Sequence, residues 1–217
     1  EPGPRNIPYP RVPNSDGAGE VVETGAGVTR FKAGDKACGT FFQGWIDGPI
    51  TERDMANALG GTLDGMLAEY CVLPEGGLVT MPAHMSFEEA STLPCSPVTA
   101  WHSLVEVGGV KPGDTVLLLG TGGVSIVALQ FVKMLGARAI ITSSSEEKLA
   151  RAQELGAWQT VNYRETPEWQ DAVLELTGGR GVDHTVEVGG AGTIARSVDA
   201  TRVGGSIGLI GVLTGGS

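Results

Sequence analysis

The chain has 217 residues, a formal net charge of −10, 34 glycines, 12 prolines and 3 cysteines. The acidic balance and the lack of a basic run argue against nucleic acid or an anionic membrane as partner, and no apolar run reaches the roughly 18 residues of a membrane span. No signal peptide is read at the start, and three widely spaced cysteines fit a reducing compartment, the cytoplasm, better than a disulfide framework.

Residues 1–13 carry Pro2, Pro4, Pro8, Pro10 and Pro13 and read as an extended, irregular entry. Residues 19–25 read as a strand and turn, and a second strand begins at Lys36 after a turn over 31–35. Residues 41–58 are poorly patterned, with one helical turn expected over 52–59. The stretch 66–73 reads as a further strand, so that short strands between Gly and Pro turns make a compact β domain over roughly 15–80. Ser86, with Glu89 three residues on, forms a capping box that opens a helix, and a second helical pattern follows Pro97 over 98–107.

Lys111, Pro112, Gly113 and Asp114 form a turn at the expected domain junction, dividing 1–110 from 111–217. Beyond it, strands at 115–119, 138–142, 160–162, 182–187 and 205–210 alternate with helices at 124–135, 146–155, 168–177 and 191–200. That alternation predicts an α/β fold with a doubly wound parallel sheet. The apolar run 116–119 is broken by Gly120, Thr121, Gly122 and Gly123, and Val124 and Ser125 then begin a helical pattern. Glycines at a strand-to-helix turn let the backbone approach a pyrophosphate, and the helix start offers N–H groups and partial positive charge. Ser125 stands where the third glycine of the dinucleotide fingerprint would be.

A β domain, a Pro-Gly-Asp turn and then this unit, with matching stretches at 16–22, 31–35, 65–70, 93–100 and 120–125, resemble the medium-chain dehydrogenase/reductase superfamily. That superfamily holds the zinc alcohol dehydrogenases, quinone reductases and enoyl reductases. The resemblance implies a GroES-like β domain followed by a Rossmann domain, each incomplete here, with further strands before residue 1 and a return segment after residue 217. It also implies a homodimer for the full-length protein.

In the zinc branch of the family a histidine ligand lies in a Gly-His-Glu triplet. Asn14, Ser15 and Asp16 hold those places here, and a serine hydroxyl is not a zinc ligand at neutral pH. Cys95 falls on another ligand position, and Cys38, Cys71 and Cys95, 33 and 24 residues apart, cannot form a four-cysteine lobe. The expectation is a chain without zinc, its three cysteines buried as small residues and His84, His102 and His184 structural or exposed. Ser15 and Asp16 line the vacated position and are candidates to donate or relay a proton.

An NAD-preferring unit ends its second strand on an acid that binds the ribose 2′-hydroxyl. Ser143 stands there, followed by Ser144, with Lys148 at the start of the next helix. Hydroxyls and a lysine suit the 2′-phosphate of NADPH. Tyr163 resembles the tyrosine beside that phosphate in quinone reductases, Thr99 the threonine beside the nicotinamide, and Val188, Gly189, Ile210, Gly211 and Val212 the nicotinamide-ribose contacts. The expected function is NADPH-dependent hydride transfer to a small activated alkene, quinone or carbonyl. The alternatives are an alcohol or aldehyde dehydrogenase of the same fold, with or without zinc, and an NADPH-binding protein without turnover.

Overall fold

A computed structural model describes residues 10–211. The chain divides into two compact units between Cys95 and Ser96. The expected junction at 110 lies later, because the helical segment after Ser96 packs within the second unit.

The first unit is built on a three-stranded antiparallel sheet in the order β1-β2-β3, with β1 at Ala18–Glu20, β2 at Lys36–Gly39 and β3 at Leu78–Thr80. A single turn, α1, covers Glu52–Met55 behind a Thr51–Asp54 capping box, and α2 covers Phe87–Ala90 behind the Ser86–Glu89 box read from the sequence. Cys38, Met81 and Ala90 make its small core.

Three expectations fail here. Residues 66–73 form no strand: Leu67, Tyr70 and Val72 are exposed, and the N–H groups of Met66 and Leu67 donate to the Asn14 and Pro13 carbonyls instead. The ladder at 19–25 stops at Glu20, and β3 takes the third place in the sheet. Cys71 is consequently exposed and Cys95 half-buried; among the three cysteines Cys38 alone has the expected burial.

The second unit begins with α3 at Ser96–Trp101, which runs into a π-helical segment at His102–Val107. Then come β4 (Thr115–Leu118), α4 (Gly123–Met134), β5 (Arg138–Ser143), α5 (Glu146–Leu155), β6 (Gln159–Asn162), α6 (Trp169–Leu176), β7 (Val182–Glu187), α7 (Ile194–Ala200) and β8 (Thr201–Leu209). The five strands are parallel in the order β6-β5-β4-β7-β8. β8 starts four residues earlier than expected, across a register irregularity between Val182 and His184.

The central strand explains why these segments read as continuous apolar runs. Val116 and Leu118 pack on one face with Ala100, Leu104, Leu129 and Ile141, while Leu117 and Leu119 pack on the other with Ile140, Val173 and Ala200. A parallel strand covered on both faces has no polar side to show. Strand order reverses between β4 and β7, so the carboxyl ends of these strands flank the crevice where open α/β sheets bind ligands. No helix among the described residues is long and apolar enough to cross a membrane.

Candidate functional site

The turn after β4 is the best-defined part of the site. Gly120 has φ +69°, a left-handed conformation that favours glycine, and its N–H donates to Thr142 Oγ1 at 3.1 Å. Gly122, at the N-cap of α4, has φ −80° and ψ 179°, a conformation open to any residue. A Cβ built on Gly122 meets no atom within 4 Å. Nothing in the protein's own packing requires a glycine there, and the space a side chain would fill is open. Gly123 is the close-packed one, its Cβ position 3.3 Å from Ser96 Oγ on α3.

The start of α4 carries no side-chain cap and no acid in its first turn. Its leading N–H groups have no acceptor within the helix, the arrangement that favours an anion. Val124 is half-buried in that turn. Ser125 is buried and its Oγ donates to Leu119 O at 2.6 Å. Its hydroxyl therefore ties the helix to the strand and faces away from the turn, which is how a serine fits the third glycine position.

The ends of the other strands meet the same edge. Ser143 closes β5, is buried, and accepts from Ser145 N at 3.3 Å while pairing with Thr121 Oγ1 at 3.2 Å. The structure thus brings Thr121 and Ser143 together. Ser144 is half-buried, and Ser145 caps α5, accepting from Lys148 N at 3.4 Å. The Lys148 side chain is exposed. Tyr163 is exposed and its N–H donates to Ser143 O at 3.1 Å, which puts it beside the end of β5. Glu146, the first residue of α5, accepts a hydrogen bond from Asn162 Nδ2. Thr99 lies on α3, half-buried, one turn from Ser96.

Past β7, Val188 and Gly189 sit against the end of β8. The N–H groups of Ile210 and Gly211 both donate to the Glu187 carbonyl, at 2.8 and 2.9 Å. Val212 lies outside the described residues. The Glu187 side chain was not singled out from the sequence, yet it is fully buried and gathers its neighbours' donors. No local signal marks it: β7 reads Val-Asp-His-Thr-Val-Glu, with Asp183 a second acid and His184 and Thr185 also polar.

In the first unit Ser15 lines a cavity of about 550 Å³ with Phe41, Phe42, Met55, Leu59 and Thr62. Burial pushes the neighbouring Asp16 carboxyl up, against an opposing hydrogen bond with Ser15. Asp16 Oδ1 is buried and has no hydrogen-bond partner among the described residues.

This geometry meets two family models. Residues 3–83 match the alcohol dehydrogenase GroES-like domain, and residues 123–217 match the zinc-binding dehydrogenase domain. The chain belongs to the medium-chain dehydrogenase/reductase superfamily. A zinc-type alcohol dehydrogenase-like protein of Schizosaccharomyces pombe is 46% identical over 210 residues, covering 96% of this chain and 61% of its own length. A quinone oxidoreductase of Pseudomonas aeruginosa is 32% identical, covering 96% of this chain and 59% of its own. A solved NAD-dependent alcohol dehydrogenase superposes with a TM-score of 0.82 at 40% identity, over 93% of this chain and 60% of that one. The chain thus spans about three fifths of these superfamily members.

Two groups follow from superfamily membership, a pyridine dinucleotide and, in its zinc branch, a metal. The first fits the residues present: the open space over Gly122, the uncapped start of α4 and the strand ends beside it form a cradle for a pyrophosphate. For the second, the chemistry of Ser15 is a poor match: it offers a hydroxyl at the place that, by the resemblance, holds an imidazole in the zinc branch.

Proposed function

We propose that the full-length protein is an oxidoreductase that uses NADPH to reduce a small activated alkene, quinone or carbonyl compound, without a catalytic zinc. The observation that carries the reading is the cradle at the β4–α4 turn, together with serine hydroxyls at the end of β5. The cofactor supplies a hydride; the protein's part is to bind, orient and exclude water. Gly120, Thr121, Gly122 and Gly123, with the N–H groups of Val124 and Ser125, would hold the pyrophosphate. Ser143, Ser144, Lys148 and Tyr163 would hold the 2′-phosphate, since an aspartate at the β5 end would repel it. Thr99, Val188, Gly189, Ile210, Gly211 and Val212 would hold the nicotinamide ribose.

Acceptors that take a hydride without a Lewis acid suit a site with this donor set. Ser15 lines the cavity of the first unit and hydrogen-bonds with Asp16, whose raised pKa favours a held proton. That pair is our candidate for proton delivery. We place the protein in the cytoplasm as a homodimer.

The names of two relatives favour a second reading, an alcohol dehydrogenase with zinc or with NAD. Full-length protein assayed with NADPH and NADH against enones, quinones, aldehydes and alcohols separates the two. NADPH-dependent reduction of an enone or quinone by metal-free protein is expected. One zinc per chain, lost together with activity on chelation, would refute the zinc-free reading. Turnover of no acceptor would leave a nucleotide-binding protein.

A further inference from the structure

We propose that Glu187 is the residue that positions the nicotinamide end of the cofactor, an inference that rests on the dinucleotide reading above. Glu187 ends β7 with 0% of its surface exposed. A buried carboxylate is costly unless donors surround it. Here Oε1 accepts from Gly189 N at 2.7 Å, Gly190 N at 3.0 Å and Thr193 Oγ1 at 2.7 Å, and Oε2 accepts from Ser197 Oγ. All four donors are uncharged, so among the described residues the carboxylate is held by the turn and by Ser197 on α7 and not by an ion pair.

The same residue organises the neighbouring strand end. Its main-chain carbonyl accepts from Ile210 N and Gly211 N. Side chain and backbone of one residue therefore hold both segments assigned to the nicotinamide ribose, 188–190 and 210–211. These segments are packed without slack: a Cβ on Gly211 would fall 2.5 Å from Gly190 N, and one on Gly189 would fall 2.3 Å from Thr193 Oγ1. Losing the carboxylate removes the three bonds that draw residues 189–193 onto the end of β7. The phosphate cradle at 120–125 and the serines at 143–145 belong to other strand ends and make none of these bonds.

Glu187 is thus a positioning residue, acting through the turn and not on the reacting atoms. Small displacements of a bound reactant are costly in rate, which gives such a residue its leverage. A glutamine there keeps one acceptor oxygen for the three donors and turns its amide towards the Ser197 hydroxyl, which can accept.

The test compares two ligands on full-length protein: NADPH, and 2′-phospho-ADP, which lacks both the nicotinamide and its ribose. In Glu187→Ala, NADPH binding should weaken by about tenfold or more, while the fragment changes by less than about twofold. Glu187→Gln should restore NADPH binding to within about threefold of wild type. Should the alanine variant not fold, Thr193→Val deletes a single donor and should weaken NADPH by about threefold, again sparing the fragment. Equal weakening of both ligands, or no weakening of either, overturns the positioning role. Wild type that binds neither ligand overturns the dinucleotide reading itself.

Discussion

His184 offers a quantitative test of how the second unit is held together. It is 1% exposed on β7, its Nε2 is 3.1 Å from Ser103 Oγ in the π-helical segment, and its Nδ1 is 2.7 Å from Ser206 Oγ on β8. Two hydroxyls satisfy a neutral imidazole, one donating and one accepting, but offer no countercharge. Burial lowers its pKa from 6.5 to about 4. The folded form therefore prefers the neutral ring, and stability is fully present above pH 6.5. As pH falls below 6.5 the unfolded chain takes up a proton that the folded chain refuses, and stability drops until pH reaches about 4. The full gap corresponds to about 3 kcal/mol, of which about 2 kcal/mol is lost between pH 7 and pH 5. Urea unfolding at several pH values, for wild type and His184→Gln, measures this. The variant should be less stable at pH 7 and should lack the loss between pH 7 and pH 5. Equal pH slopes in the two proteins would refute the reasoning.

The other predictions bear on packing and on the cradle. Leu117→Ala, at a fully buried position, should cost about 3 kcal/mol of stability in thermal or urea unfolding. Asp183 accepts from Thr115 N and pairs with Arg180 and Arg202, which hold its carboxyl well below the ordinary range; Asp183→Asn should cost about 3 kcal/mol at pH 7, and the cost should shrink as pH falls below 3.8. Gly122→Ala should leave stability within about 0.5 kcal/mol, because its Cβ meets no protein atom, yet weaken NADPH binding by about tenfold. Gly120→Ala should instead cost about 1 kcal/mol through its positive φ, read in the same unfolding assay.

The second unit was legible because its signals are local. A parallel strand covered on both faces tends to read as a continuous apolar run, as 116–119 does, and a strand-to-helix turn that lets the backbone approach a phosphate uses glycine. The capping box at Ser86 is equally local. The stretch 66–73 misled because its apolar character has no strand to pair with among the described residues. Glu187 and His184 were silent for a different reason. β7 carries Asp183, His184, Thr185 and Glu187, and their order reveals nothing of the donors that fold back on them; those of Glu187 come from four positions that only the turn and α7 bring together. Ser125 was half legible: its place in the fingerprint was clear, but not that its hydroxyl bonds the Leu119 carbonyl.

Which dinucleotide the end of β5 accepts is the most direct test of the proposed function. The measurement is the dissociation constant of NADPH and of NADH for full-length wild type, Ser143→Asp and Lys148→Ala. A carboxylate at 143 would repel a 2′-phosphate about 4 Å away by roughly 1 kcal/mol in bulk water and by more at a buried site. It would also accept from a ribose 2′-hydroxyl. Wild type should bind NADPH more tightly than NADH; Ser143→Asp should move that ratio towards NADH by about one to two decades; Lys148→Ala should weaken NADPH alone. Wild type binding NADH as tightly as NADPH, or a ratio that neither substitution moves, would mean that the serines and Lys148 only begin a helix.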